Sequence, residues 1–170
     1  MLSERMEQEL NKQLNAELYS AYLYLAMAAH FLANNLDGFA NWMLVQNQEE
    51  TAHAMKFYHF INERGGRVHL DIIAKPEGEW SSPLEVFEAT LRHEQKVTGL
   101  INHLVDVAMA ERDHASNAFL QWFITEQVEE EAAAETIIQN LKLAGDNPQA
   151  LLMLDRELGT RVFTPPTAGA

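Results

Sequence analysis

Apolar residues recur at alternating intervals of three and four along four stretches of the chain, the spacing that gathers them on one helix face. In the first stretch the stripe reads Leu10, Leu14, Glu17, Ala21, Tyr24, Ala28, Phe31, and in the second Met43, Gln46, Glu50, His53, Phe57, Phe60. The third gives Leu84, Phe87, Leu91, Glu94, Thr98, Ile101, Val105, Ala108, and the fourth Leu120, Phe123, Gln127, Glu130, Ala134, Ile137, Leu141. No stretch alternates with period two for long enough to suggest a strand, so the pattern predicts an all-α fold.

Breakers and caps set the helix limits. Ser3 can cap a first helix that runs to about Asn34, and Asp37 a second that ends at Gly65-Gly66, where glycine adopts the left-handed conformation without strain. Ser82-Pro83 opens the third, because proline at the first helical position forfeits no hydrogen bond. The third gives way near Asp113 to a fourth that stops at Gly145, and Asn147-Pro148 starts a short fifth.

Connection lengths then choose the topology. Only a few residues separate helices one and two, and three and four, so each pair is expected to form an antiparallel hairpin. Residues 66–81 are different: a 30-residue helix is roughly 45 Å long, and 16 extended residues reach at most about 53 to 58 Å. The connector is just long enough to cross the whole bundle and start the third helix parallel to the second. The expected unit is a four-helix bundle over residues 1–145 with one long crossover, a short C-terminal helix of the same domain over 146–160, and a tail over 161–170.

The stripes are not purely apolar. Glu17, Glu50 and His53 recur 77 residues later as Glu94, Gln127 and Glu130, all in core positions near mid-helix. Carboxylates and an imidazole at such spacing share a helix face, and four helices can aim them at one centre. Burying an unpartnered carboxylate costs several kcal/mol, and no lysine or arginine lies on these stripes. Two divalent cations would balance four carboxylates; the alternative is a protonated or hydrated polar layer.

Composition narrows the class. The 170 residues, 47% hydrophobic, suffice for one buried domain. A net charge of -13 disfavours nucleic acid and anionic membranes and favours cations. The absence of cysteine excludes disulfides, zinc-thiolate sites, iron-sulfur clusters and thiol nucleophiles. Without an apolar leader or a membrane-length apolar run, the expected location is cytoplasmic. Oxygen donors with one imidazole suit iron or manganese, and zinc as well.

On Glu17, Tyr24, Glu49-Glu50, His53, Glu94 and the run Glu126-Gln127-Val128-Glu129-Glu130, with the crossover and the fifth helix, nearly the whole chain resembles the bacterial non-haem ferritins. The resemblance implies a ferritin-like bundle that binds one iron through Glu17, Glu50 and His53 and another through Glu50, Glu94 and Glu130, with Gln127 a nearby ligand or hydrogen-bonding partner. It implies oxidation of ferrous iron by dioxygen or hydrogen peroxide and storage as a ferric mineral inside a homo-oligomeric shell of twenty-four subunits. Glu49, Glu126 and Glu129 would then form a third iron site beside the pair; on residue pattern alone they are equally a solvated acidic face.

Two departures carry weight. Haem-containing relatives place a haem-ligating methionine where this chain has Thr51, so no haem is expected. They also carry glutamate and histidine where Gln127 and Glu130 stand, so the second iron, lacking an imidazole, should be held more loosely and pass onward. Tyr24, one heptad from Glu17, either donates an electron or fills the core. His30, His59, His69, His93, His103 and His114 are read as structural or surface residues, Trp42, Trp80 and Trp122 as packing, and Glu131 and Glu135 as solvated. The apolar Ala150-Leu151-Leu152-Met153-Leu154 packs on the bundle or meets copies of itself at a symmetry axis. Rival readings are a solitary di-iron oxidase or peroxidase and a non-catalytic helical interaction protein.

Overall fold

The structure is a computed structural model that describes residues 2–165. Its elements are α1 (Glu4–Ala33), α2 (Asp37–Glu63), α3 (Pro83–Ala110), α4 (His114–Ala144) and α5 (Pro148–Leu158), with no strand among the described residues. The first four form the expected all-α bundle with one long crossover and a short fifth helix.

Four of the expected caps are in place, Asn147 among them, whose side-chain oxygen accepts from the Gln149 and Ala150 amides. The Ser3 hydroxyl accepts from the Met6 amide, Ser82 from Glu85, and the Asp113 carboxylate from Ser116. At the end of α2, Gly65 takes a φ of 73° while the Gly66 amide donates back to the Ile61 carbonyl at 2.9 Å.

The second cap differs from expectation. Asp37 is already the first helical residue, and Leu36 before it offers no side-chain acceptor. The free amides of Gly38 and Phe39 donate to Asp155 Oδ1 of α5, at 2.9 and 3.0 Å. A carboxylate there also faces the positive end of the helix dipole, and such a cap contributes about 1 kcal/mol. Gly38 is what lets α5 come this close: a Cβ on it would fall 1.6 Å from the Asp155 carbonyl oxygen.

The crossover lies along α1. Asn11 donates to the Arg67 carbonyl at 2.9 Å and accepts from the His69 amide at 2.6 Å, Asn15 reaches the Ile72 carbonyl, and buried Trp80 meets His30 edge-on at 5.3 Å. Having climbed the length of α1, the chain starts α3 at the end where α2 also starts, which makes the two parallel.

The stripes of α1 and α4 are buried as read. That of α3 is turned: Phe87, Glu94, Ile101 and Ala108 are buried, but the other line is Thr90, Val97 and Leu104, with Leu84, Leu91, Thr98 and Val105 only half-buried. α3 packs against α1 as well as α4, and the Thr90 hydroxyl meets Met27 Sδ of α1 at 3.5 Å. One edge of its buried arc therefore moves by one residue, about 100°, while the other stays in place.

Two apolar clusters result. One holds Tyr24, Phe31, Phe39, Trp42, Phe87 and Ile138 with Leu154 and Leu158 of α5. The other holds Leu10, Phe57, Ile101, Leu104, Leu120 and Phe123. Glu17, Gln46, Glu50, His53, Glu94, Gln127 and Glu130 fall in the layer between them in every helix.

Candidate metal centre

Each helix delivers its polar residues to this layer because the apolar residues a turn above and below are locked in the two clusters. Glu17, Glu50, His53, Glu94, Gln127 and Glu130 are all at most 5% exposed.

In the α1/α2 half, ligand atoms of Glu17, Glu50 and His53 lie within 4.8 Å of one another, close enough for one ion. His53 Nδ1 stands 3.5 Å from Glu50 Oε2, and Gln13, one turn before Glu17, donates to Glu17 Oε1 at 2.7 Å. Trp122 and Phe123 meet the His53 ring edge-on at 5.2 and 5.9 Å, which fixes its plane.

The α3/α4 half relies on hydrogen bonds. Tyr24 O–H donates to Glu94 Oε1, Gln127 Nε2 donates to Glu94 Oε2 at 3.2 Å, and Gln46 Nε2 donates to Glu130 Oε2 at 2.8 Å. Gln127 therefore orients Glu94. Its amide also reaches the Thr98 hydroxyl, which in turn donates to Glu131. Tyr24 is fully buried and joins the site through its phenol while its ring fills the core.

The residues of the acidic run separate. His53, Glu126 and Glu130 offer ligand atoms within 4.8 Å of one another, a second cluster that shares the imidazole. Glu129 is exposed, and Glu49 is turned to Arg161, whose Nη2 donates to Glu49 Oε2 at 2.6 Å. Of the remaining histidines, His93 is the most enclosed: its Nε2 lies 2.8 Å from Ser20 Oγ, its ring packs on Tyr19 and Tyr24, and burial pushes its pKa down to about 4, so it is a neutral packing group.

Burial governs the electrostatics. It pushes the Glu17 carboxyl far above the ordinary carboxylate range, with the Glu50 charge adding to it, and raises Glu50 likewise, with Glu94 and Glu130 adding. Glu94 is also raised by burial, but its hydrogen bonds from Tyr24 and Gln127 pull it back. Glu130 is raised to about 8, by burial first and then by the Glu94 charge, against the Gln46 hydrogen bond. Four carboxyls that resist ionisation, with no Lys or Arg among them, could hold cations, and their oxygen donors plus one imidazole match iron-type metals.

The sequence reading gave Gln13, Gln46 and Arg161 no role. Gln13 sits four residues before Glu17, and Gln46 four before Glu50 on the stripe already drawn, so both were within reach of helix spacing. Gln46, however, serves Glu130 on another helix, and Arg161 gives no local sign of its partner.

Residues 7–144 match the family described as the ferritin-like domain. The chain is 42% identical over 163 residues to a bacterial non-heme ferritin of Staphylococcus aureus, covering 96% of this chain and 98% of that one. It is 43% identical over 161 residues to that of Bacteroides fragilis, covering 95% and 100%. Among solved structures, a closed form of the Archaeoglobus fulgidus ferritin superposes with a TM-score of 0.96 at 54% identity, over 96% of this chain and all of the other. A novel open pore ferritin from the same archaeon gives 0.95 at 53%, over 95% and 100%.

Proposed function

The chain belongs to the ferritin-like family, and on that footing we propose that it is an iron-storage ferroxidase. The observation that carries the reading is the sealed layer of Glu17, Glu50, His53, Glu94 and Glu130, held by glutamine and tyrosine donors and free of competing lysine or arginine. Ferrous iron is the substrate. One ion is taken by Glu17, Glu50 and His53, and its neighbour by Glu50, Glu94 and Glu130, with Glu50 between them.

The protein's part is to replace the water around two cations with fixed carboxylates and to hold the ions side by side. Two ferrous ions then give up two electrons together to dioxygen or hydrogen peroxide. Carboxyls that burial keeps protonated release those protons as metal enters. The second ion, with carboxylates and no imidazole, is the more loosely held and moves on as ferric product. Glu126 and Glu130, beside His53, border a third position along that route, to which Glu129 and Glu49 belong as outer carboxylates.

Storage requires a shell, and the subunit's surface favours self-association. Tyr22, Leu25 and Leu32 on α1, Leu44, Met55 and Tyr58 on α2, and Leu70, Ile72 and Ile73 of the crossover are exposed, as are Leu152 and Met153 of α5. Such apolar surface marks contact sites. The proposed assembly is a cytoplasmic homo-oligomer of twenty-four subunits; none of the described helices is long and apolar enough to cross a membrane.

Aerobic addition of excess ferrous salt to the apo-protein tests the whole reading. Rapid oxidation with iron retained in a soluble particle of shell size is expected. Slow oxidation with precipitate, or a monomer by size-exclusion chromatography, would refute storage.

A further inference from the structure

Arg161 belongs to the segment assigned to a tail, yet the chain leading to it is tied to α2 step by step. Asp155 accepts from the first amides of α2, and Asn41 Nδ2 donates to the Leu158 and Arg161 carbonyls at 3.2 and 3.0 Å. The Arg161 guanidinium then lies over the Trp42 ring, 4.5 Å from its centre, and delivers Nη2 to Glu49 Oε2 at 2.6 Å. Both side chains of the pair are about three-quarters buried.

Glu49 adjoins Glu50 and feels the charge of Glu126, so it stands at the border of the second ligand cluster. Burial raises its pKa, and Arg161 is the foremost influence opposing that rise. The guanidinium takes up part of the lone-pair space of Oε2 and sets a positive charge beside it, so a cation approaching Glu49 meets a resident rival. Arginine suits such a lock: its planar group stacks on Trp42 while its fork of N–H donors reaches the carboxylate.

We propose that Arg161 is a resident counter-cation that competes with iron for Glu49, so that the third position beside the pair fills only when the C-terminal segment gives this carboxylate up. The proposal rests on the third-site reading given above. Its consequence is that docking of α5 sets how readily iron leaves the paired site.

Anaerobic titration of the apo-protein with ferrous iron, followed by calorimetry, tests it on R161Q, R161K and E49Q, with shell assembly of each verified by size. Relative to the first two metals, the third should bind about tenfold tighter in R161Q, change little in R161K, and be lost in E49Q. A third metal bound equally or more weakly in R161Q overturns the proposal, as does R161K behaving like R161Q, which would assign the effect to lost packing. If neither wild type nor R161Q binds a third metal, the third-site reading fails together with the proposal; a third metal indifferent to Arg161 leaves that reading standing and removes the lock alone.

Discussion

The two halves of the metal layer solve one problem with different chemistry. The α1/α2 half supplies an imidazole, fixed by Trp122 and Phe123, beside two carboxylates with a single glutamine tether. The α3/α4 half has glutamate where that imidazole would recur, and three donors, Tyr24, Gln127 and Gln46, aim its carboxylates. The difference shows most at Glu94, which its donors pull back, whereas Glu17 and Glu50 stay far above the ordinary range and Glu130 is raised to about 8. An imidazole offers a metal a nitrogen donor, while a carboxyl that burial keeps protonated must give up its proton first. Under the proposed function, the first half keeps its ion and the second exchanges it.

Removing Glu94 from the α3/α4 half is the most damaging test. Glu94→Ala should slow the fast phase of iron oxidation by roughly 100-fold, about 2.7 kcal/mol of barrier, with assembly intact by size; an unchanged rate would eliminate the paired-site mechanism. Gln46→Leu removes the donor to Glu130, and loss of such an orienting partner typically costs about tenfold or more in metal affinity. Titration should assign that loss to the second metal and leave the first nearly untouched.

Glu130→His gives the α3/α4 half the imidazole it lacks. The second metal should then exchange about tenfold more slowly, measured by chase with isotopically distinct iron. Equal exchange from both positions in the unaltered protein would contradict the division of labour.

The smallest effect is in protons. Glu130 holds its proton up to about pH 8 in the fold against 4.5 ordinarily, so metal entry below pH 8 should expel it, and the release should fade as pH rises past that value. Calorimetry of zinc binding in buffers of different ionisation enthalpy measures this. By the same sign, the folded apo-protein binds more protons than the unfolded chain between 4.5 and about 8, so it loses stability as pH climbs through that window.

Much of this was legible in the chain because it depends on local spacing. The stripes of α1 and α4 lie as read, apolar on both sides of the polar residues they carry. On α3, Leu84, Leu91 and Val105 compete with Thr90, Val97 and Leu104 for burial, and both lines look alike until the neighbouring α1 breaks the tie. The ligands themselves were readable because buried charge is rare enough to need a cause. Their tethers were not: Gln46 and Arg161 find partners 84 and 112 residues away, and no periodicity encodes such a meeting. Asp155, 117 residues beyond Gly38, is hidden for the same reason, with Asp37 a plausible local decoy for the same duty.

That distant cap also bears on the order in which the protein comes into being. Synthesis proceeds from Met1 onward, so α1, α2, α3 and α4 all exist before the acceptor for Gly38 and Phe39 has been made. The opening turn of α2 is thus completed from the far end of the chain, and the same stretch brings Arg161 to Glu49. A subunit cut after α4 would keep every residue of the buried polar layer and still present α2 with a ragged start.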